Sequence, residues 1–426
     1  MEPAMKKQTS ISLAYGTTTL NFPIKKQPEV MTLQDPPRQM DGQTFVGRLN
    51  AFMDRVPLDL SRPVVVVADK TRLCGYPEYL PRLLETLIAR GAPCDDLRLV
   101  IAFGTHARQS EAESERCYGT SYGRHTWVHH HCDDHPIFVS KGFTRRGTPI
   151  RIRADILEAS SVITFGAVSH HYFAGFGGGR KLIFPGLGEK SAIYANHGLF
   201  LDREKRCLAP GCRAGRLDGN PLAEDLAEVE TARPADMAIH GILDHHGEVC
   251  DLLVGRGQDH FRAACARHAA FYETDARSRY DLVLASCGGF PKDINFIQSH
   301  KAIHNSADFV SDGGHLIVLA RCRDGIGSQT FLPWFQMGGW DAAFDKLAES
   351  YVGNGGTALA MMAKLKRIRI SLVTDLTPDL ARIVGFECLS GDQVQSLLKE
   401  HTGTLAVIPN AGLLVKTPEA RRDPKP

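Results

Sequence analysis

The densest chemistry in the chain lies in His171 to Gly186, HYFAGFGGGRKLIFPG, which gathers one histidine, five glycines and a lysine. Glycine has no Cβ and tolerates positive φ, so such backbone lets a ligand come close. Successive N–H groups leading to a helix start form an anion-binding concavity. Lys181, inside the stretch, offers a point charge for phosphate or an amine for covalent chemistry. The stretch therefore reads as a cofactor-binding loop. It lacks the G-x-x-x-x-G-K-[ST] phosphate loop and fits the dinucleotide fingerprint poorly.

Further reactive residues stand at comparable places. His106 and His171 each close a predicted strand, and two imidazoles across a cleft suit proton exchange at either face of a substrate. They read equally well as two separate histidines with local hydrogen bonds. His197 lies on the helix expected after the loop, as a metal ligand or an ordinary helix histidine. Asp69 and Arg72 follow a valine strand. The arginine fork suits a carboxylate or phosphate, and the two could equally form a structural ion pair. Gln298 and Lys301 share a helix face at i, i+3, to hold an anionic substrate or simply to face solvent. The run His129-His130-His131-Cys132-Asp133-Asp134-His135 suggests a metal, but adjacent residues of an extended segment point to opposite faces. It reads as a polar surface strand and turn.

The elements that must position these groups follow one pattern. Pro63 to Asp69 (PVVVVAD) is a strand buried on both faces, and a helix from Glu78 to Arg90 follows. Leu97 to Phe103 runs into Gly104-Thr105-His106, and Ser110 with Glu113 forms a capping box for the next helix. Ser161 to Ala167 leads into the glycine loop, and a helix from Glu189 to Leu201 carries His197. Strand, functional loop and helix recur three times, which predicts an α/β fold with a mostly parallel sheet and ligands beyond the carboxyl ends of the strands. Asn220-Pro221 opens another helix, and Ala238 to Leu243 with Val249 to Val254 forms a strand pair. A polar break at Thr274 to Ser278 places a domain boundary there: 1–275 carries cofactor and acid–base residues, and 276–426 is a second α/β domain that closes over the substrate. The last ten residues read as a disordered tail.

Composition narrows the classes. A length of 426 residues with 43% hydrophobic and 23% charged content suits a two-domain globular chain, and a net charge of +2 points to neither nucleic acid nor membrane. The N-terminus lacks a signal-peptide core, and no apolar run is long enough to span a bilayer. Eleven scattered cysteines without CxxC pairs fit reduced thiols in a cytoplasm.

Taken together, the stretches resemble the nickel-dependent lactate racemase family. The matching signatures are Asp69-Lys70-Thr71-Arg72, Gly104-Thr105-His106, His171 through Lys181 to Gly186, Asn196-His197, and Gly289-Phe290-Pro291-Lys292-Asp293 with Gln298-Ser299-His300-Lys301. They occur in the family's order from about residue 40 to about 412. The resemblance implies two Rossmann-like α/β domains with an interdomain cleft. It implies a nickel-pincer nucleotide derived from nicotinic acid mononucleotide, attached covalently at Lys181, with His197 as the protein's nickel ligand. It implies His106 and His171 as the acid–base pair, Asp69, Thr71 and Arg72 around the cofactor, and Arg72, Gln298 and Lys301 on the substrate. The activity implied is racemisation or epimerisation of a 2-hydroxy acid by hydride transfer, in the cytoplasm, with cofactor-biosynthesis proteins as transient partners. Two departures bear on the substrate. Ile297 stands where lactate-acting members are expected to carry a tyrosine, and their active-site tryptophan has no match near Tyr351-Val352-Gly353, which favours an acid larger than lactate. The residues also admit a non-catalytic carrier of the nickel cofactor, or a metal-dependent hydrolase or lyase using the same histidines.

Overall fold

The computed structural model of the chain describes residues 9–25, 27–276 and 278–418. The chain divides into two compact units, Asp35–Phe200 with Ala209–Phe271, and the segment up to Gln34 with Leu201–Leu208 and the chain from Tyr272 onward. The change of unit at Tyr272 lies beside the expected boundary, but the residues up to Gln34 do not join the first domain as expected. Glu29–Val30 pairs in parallel with Leu405–Ile408. The hairpin Thr9–Tyr15/Thr18–Ile24 buries Leu13 and Phe22 against Leu282, Leu284 and Leu319. Backbone pairing and apolar contacts with late residues outweigh nearness in sequence. The predicted tail lies mostly outside the described residues.

In the unit of Asp35–Phe200, six strands run in the order Val249–Gly255, Met237–Leu243, Ser161–Ala167, Pro63–Ala68, Arg98–Ala102, Thr126–His129. All neighbours are parallel except the edge strand Val249–Gly255. Val64 to Val67 are buried throughout, as a strand covered on both faces requires. The strand order reverses between Pro63–Ala68 and Ser161–Ala167. Loops leaving two such strands diverge and open a crevice at their carboxyl ends. The loop of Asp69 and the loop of His171 leave these two strands.

The other unit holds a wholly parallel sheet, Glu387–Cys388, Arg369–Val373, Val310–Leu319, Tyr280–Ser286, Leu405–Ile408, Glu29–Val30. Its order reverses at Tyr280–Ser286, the strand that feeds Gly289 to Asp293. The expected α/β class with mostly parallel sheets is therefore the class observed. All eleven cysteines are free thiols. Among the described residues, no helix is long and apolar enough to cross a membrane.

Candidate active site

Asp69 ends the valine strand and is buried. One carboxylate oxygen accepts from the Thr71 N–H (2.8 Å) and the Thr71 hydroxyl (2.6 Å), and the other meets His106 Nδ1 at 2.6 Å. Burial alone would raise its pKa, but the His106 hydrogen bond and charge, with the Thr71 bonds, outweigh it and hold the carboxyl below its usual range. An ionised Asp69 makes Nδ1 of His106 the donor, so Nε2 of the neutral ring is the bare, basic nitrogen. Asp69 thus serves His106 rather than forming the ion pair with Arg72 that the sequence allowed. Arg72 donates to the Thr71 carbonyl at 2.9 Å and feels Asp69 only through space. The loop of His106 is tied to the end of the glycine stretch by the Gly104 N–H, which donates to the Gly186 carbonyl at 2.8 Å.

The glycine stretch folds as a small hairpin, Ser169–His171 against Gly175–Gly177, and a single 3-10 turn over Gly179–Leu182. This corrects the expected anion cradle. A Cβ on Gly175, at φ +75°, would lie 2.1 Å from the Arg216 carbonyl oxygen, and one on Gly178, at φ +78°, 2.3 Å from that of Ala167. The room that glycine leaves is taken by the chain's own backbone rather than left to a ligand. The next full helix, Lys190–Gly198, starts only after a further loop, so these N–H groups do not lead into a helix start.

The hairpin gives His171 a different partner from that of His106. The Ala174 N–H donates to His171 Nδ1 at 3.3 Å, so in the neutral ring the proton sits on Nε2.

Lys181 lies over the Phe173 ring, with Nζ 5.9 Å from its centroid. Burial, reinforced by the charges of Arg72 and Arg180, pushes its pKa down to about 7. His197 meets the same ring edge-on, with centroids 5.1 Å apart. Protein crowds around this imidazole, and burial, then the charge of Lys181, depresses its pKa to about 3. His106 adds a smaller push in the same direction. His171 packs against Phe173 too, at 4.5 Å. Phe173 therefore joins His171, Lys181 and His197, and it is the residue that sequence reasoning missed. Its place inside the loop, two positions after His171, was the only available signal.

The position of His197 is braced from behind. Asn196, one residue before it, donates to buried Asp225 at 2.8 Å, and Asp225 also accepts from the Thr148 hydroxyl at 2.6 Å. The histidine-rich run contributes here, and not as the wholly superficial turn expected. His130 is buried with Nε2 3.1 Å from the Gly188 carbonyl, and His135 contacts Glu189, the N-cap residue of the His197 helix, at 2.6 Å. Among the described residues, no three His, Cys, Asp or Glu side chains gather as a cation site.

Gln298 and Lys301 lie in the other compact unit, on the helix Phe296–Ala307. Lys301 donates to Gln298 Oε1 at 2.9 Å, so the predicted shared face is real. Ile297 is partly buried against that unit's core. Trp334 is buried in the same core, and Trp340 stacks on Phe344.

Comparisons with known proteins place the chain in a family. Residues 15–208 match the lactate racemase N-terminal domain and residues 276–351 the lactate racemase C-terminal domain. The lactate racemase of Thermoanaerobacterium thermosaccharolyticum is 27% identical over 276 residues, 64% of this chain and 63% of that protein. That of Lactiplantibacillus plantarum is 29% identical over 272 residues, 63% of this chain and 62% of that protein. In both, the match spans less than two thirds of the relative's length. In fold, the chain is similar to the lactate racemase apoprotein of T. thermosaccharolyticum, with a TM-score of 0.85 at 21% identity, covering 96% of this chain and 100% of that one. A protein from Thermotoga maritima follows at TM-score 0.66 and 15% identity, covering 91% and 99%. The two domain matches cover most of the chain and take in every reactive residue described above, and the chain belongs to the lactate racemase family.

Proposed function

We propose that the protein is an isomerase that racemises or epimerises a 2-hydroxy acid. The observation that carries the reading is the His106 ring held on buried Asp69, together with the grouping of His171, Lys181 and His197 around Phe173. The relatives named for lactate racemisation support it.

The residues fit a nickel-pincer nucleotide. His197 is kept neutral, the form that ligates a metal, and no further protein donors gather around it among the described residues. A metal with one imidazole from the protein needs its other donors from an organic group, and soft sulfur donors with planar geometry suit nickel. Lys181, with a pKa of about 7, is neutral enough near pH 7 to be acylated. Lys181 would hold the group covalently, His197 would ligate its nickel, and Asp69, Thr71 and Arg72 would line it. When bound, the group supplies what no side chain can, an acceptor and donor for the C2 hydride.

The chain's own residues perform the rest. His106 takes the hydroxyl proton at Nε2, with Asp69 stabilising the imidazolium that results. The planar 2-keto acid is then open on both faces. His171 would supply, as the imidazolium, the proton that restores the hydroxyl of the opposite enantiomer, ending as the neutral ring while His106 ends as the imidazolium; the reverse reaction starts from those exchanged charge states. Arg72 offers its fork to the substrate carboxylate, as do Gln298 and Lys301 by the family resemblance. Isoleucine at 297 lacks the bulk of an aromatic ring, which favours a 2-hydroxy acid larger than lactate. A cofactor carrier would need Lys181 and His197 but not the Asp69–His106 contact.

The test is a panel of C2-deuterated hydroxy acids given to protein co-expressed with cofactor-making proteins, with intact mass to read the Lys181 adduct. Racemisation with deuterium kept at C2 and a mass gain at Lys181 is expected. Deuterium washing out to solvent, or full activity without co-expression, would overturn the reading. Lactate outpacing every larger acid would remove the substrate extension alone.

A further inference from the structure

Arg180 and Lys181 are neighbours, but their side chains go to different rings. Lys181 lies over Phe173, whereas the Arg180 guanidinium lies over Phe261 with its centre 4.7 Å from the ring centroid. Arg180 is 5% exposed, and its Nε has no hydrogen-bond partner. Its Nη2 donates to the Ala223 carbonyl over a long 3.3 Å. Glu230 acts on it through space rather than through a hydrogen bond. A buried guanidinium without a carboxylate contact is costly, and an anion at hand would repay much of that cost.

There is room for one. Arg180 lines a recess of about 290 Å³, between the Gly179–Leu182 turn and the helices Pro221–Glu230 and Gly257–Tyr272. Its inner lining is apolar, with Leu217, Ala223, Ala227 and Phe261. Arg145, Arg262, Glu224 and Glu228 also line it, and all four are already engaged. Arg145 pairs with Glu228 at 3.2 Å, Arg146 with Glu224 at 2.6 Å, and Arg262 with Asp218 at 2.6 Å. With those charges matched, Arg180 is left with Glu230, which reaches it only through space and makes no hydrogen bond to it. The volume is at the lower end of small-molecule sites.

We propose that this recess is a second ligand site, separate from the candidate active site, that takes a small monocarboxylic acid with a short apolar tail. The carboxylate meets Arg180, and the tail lies on Ala223, Ala227 and Phe261. A dianion fits less well, because its second charge has no unmatched cation and faces Glu224 and Glu228.

Calorimetric titration of the intact protein with butyrate, benzoate and inorganic phosphate tests this. Saturable binding of the two acids is expected, with phosphate about tenfold weaker or more. Arg180→Gln should weaken the acids by about tenfold or more, the usual effect of losing a charge-assisted hydrogen bond. Ala227→Phe should fill the recess and do the same without touching the guanidinium, so the test survives if Arg180→Gln fails to fold. No saturable binding to the wild type, acid binding unchanged in either folded variant, or phosphate binding tighter than butyrate would overturn the proposal.

Discussion

The two sheets present their carboxyl ends very differently. In the unit of Asp35–Phe200 the polar groups there are held in costly states. Lys181 is pushed to about 7 and His197 to about 3, and His106 hangs on a buried carboxylate. In the other unit the polar groups at the equivalent ends close on one another. Asp293 accepts from the Gly16 N–H at 2.7 Å and the Arg321 N–H at 3.2 Å, and Asp375 pairs with Arg321 at 2.9 Å. The same sheet architecture can thus spend its strand ends on chemistry or on stability.

Substitutions should separate the two ends accordingly. The largest loss is expected from Lys181→Ala or His197→Ala, about a thousandfold or more in activity, because the proposed cofactor attachment or metal ligation would go. Mass spectrometry and nickel content check this directly. Asp69→Asn should follow, with kcat down by about 10²–10³, since the amide no longer fixes the His106 tautomer. Nickel content should fall far less than in His197→Ala, because Asp69 would line the group without ligating its metal; a loss as large as that of His197→Ala would show Asp69 to act chiefly on the cofactor.

Two smaller effects sharpen the contrast. Labelling of Lys181 in the cofactor-free protein by an acylating reagent should rise to half its maximum near pH 7, following the pKa of about 7. A midpoint near the ordinary lysine value of about 10 would show the amine to be solvated. In the second unit, Asp293→Ala should cost about 1–3 kcal/mol of stability by stranding two backbone donors, read by denaturant midpoint.

Asp69 also has a stability signature. Its folded pKa lies below the unfolded value of about 4, so its contribution is present above that value and is lost as pH falls through the folded pKa. An acid titration of Asp69→Asn should show a shallower loss of stability over that range.

Much of this could be read from the chain alone. The valine run, the capping box at Ser110 and Glu113, and the Asn220-Pro221 start are local signals, and each appears as predicted. Type and spacing marked His106, His171, Lys181 and His197, because reactive residues at strand ends stand out against an apolar background. Local signals could not place the hairpin Thr9–Tyr15/Thr18–Ile24 or the strand Glu29–Val30, whose partners lie hundreds of positions away. Nor could they tell that the glycines serve close backbone packing instead of ligand access, since only the folded neighbours show what fills the space. The partner of Asp69 and the joining role of Phe173 were likewise decided by the tertiary structure. A sequence specifies which groups can ionise, but burial and distance set the states they hold, and both arise only when remote segments meet.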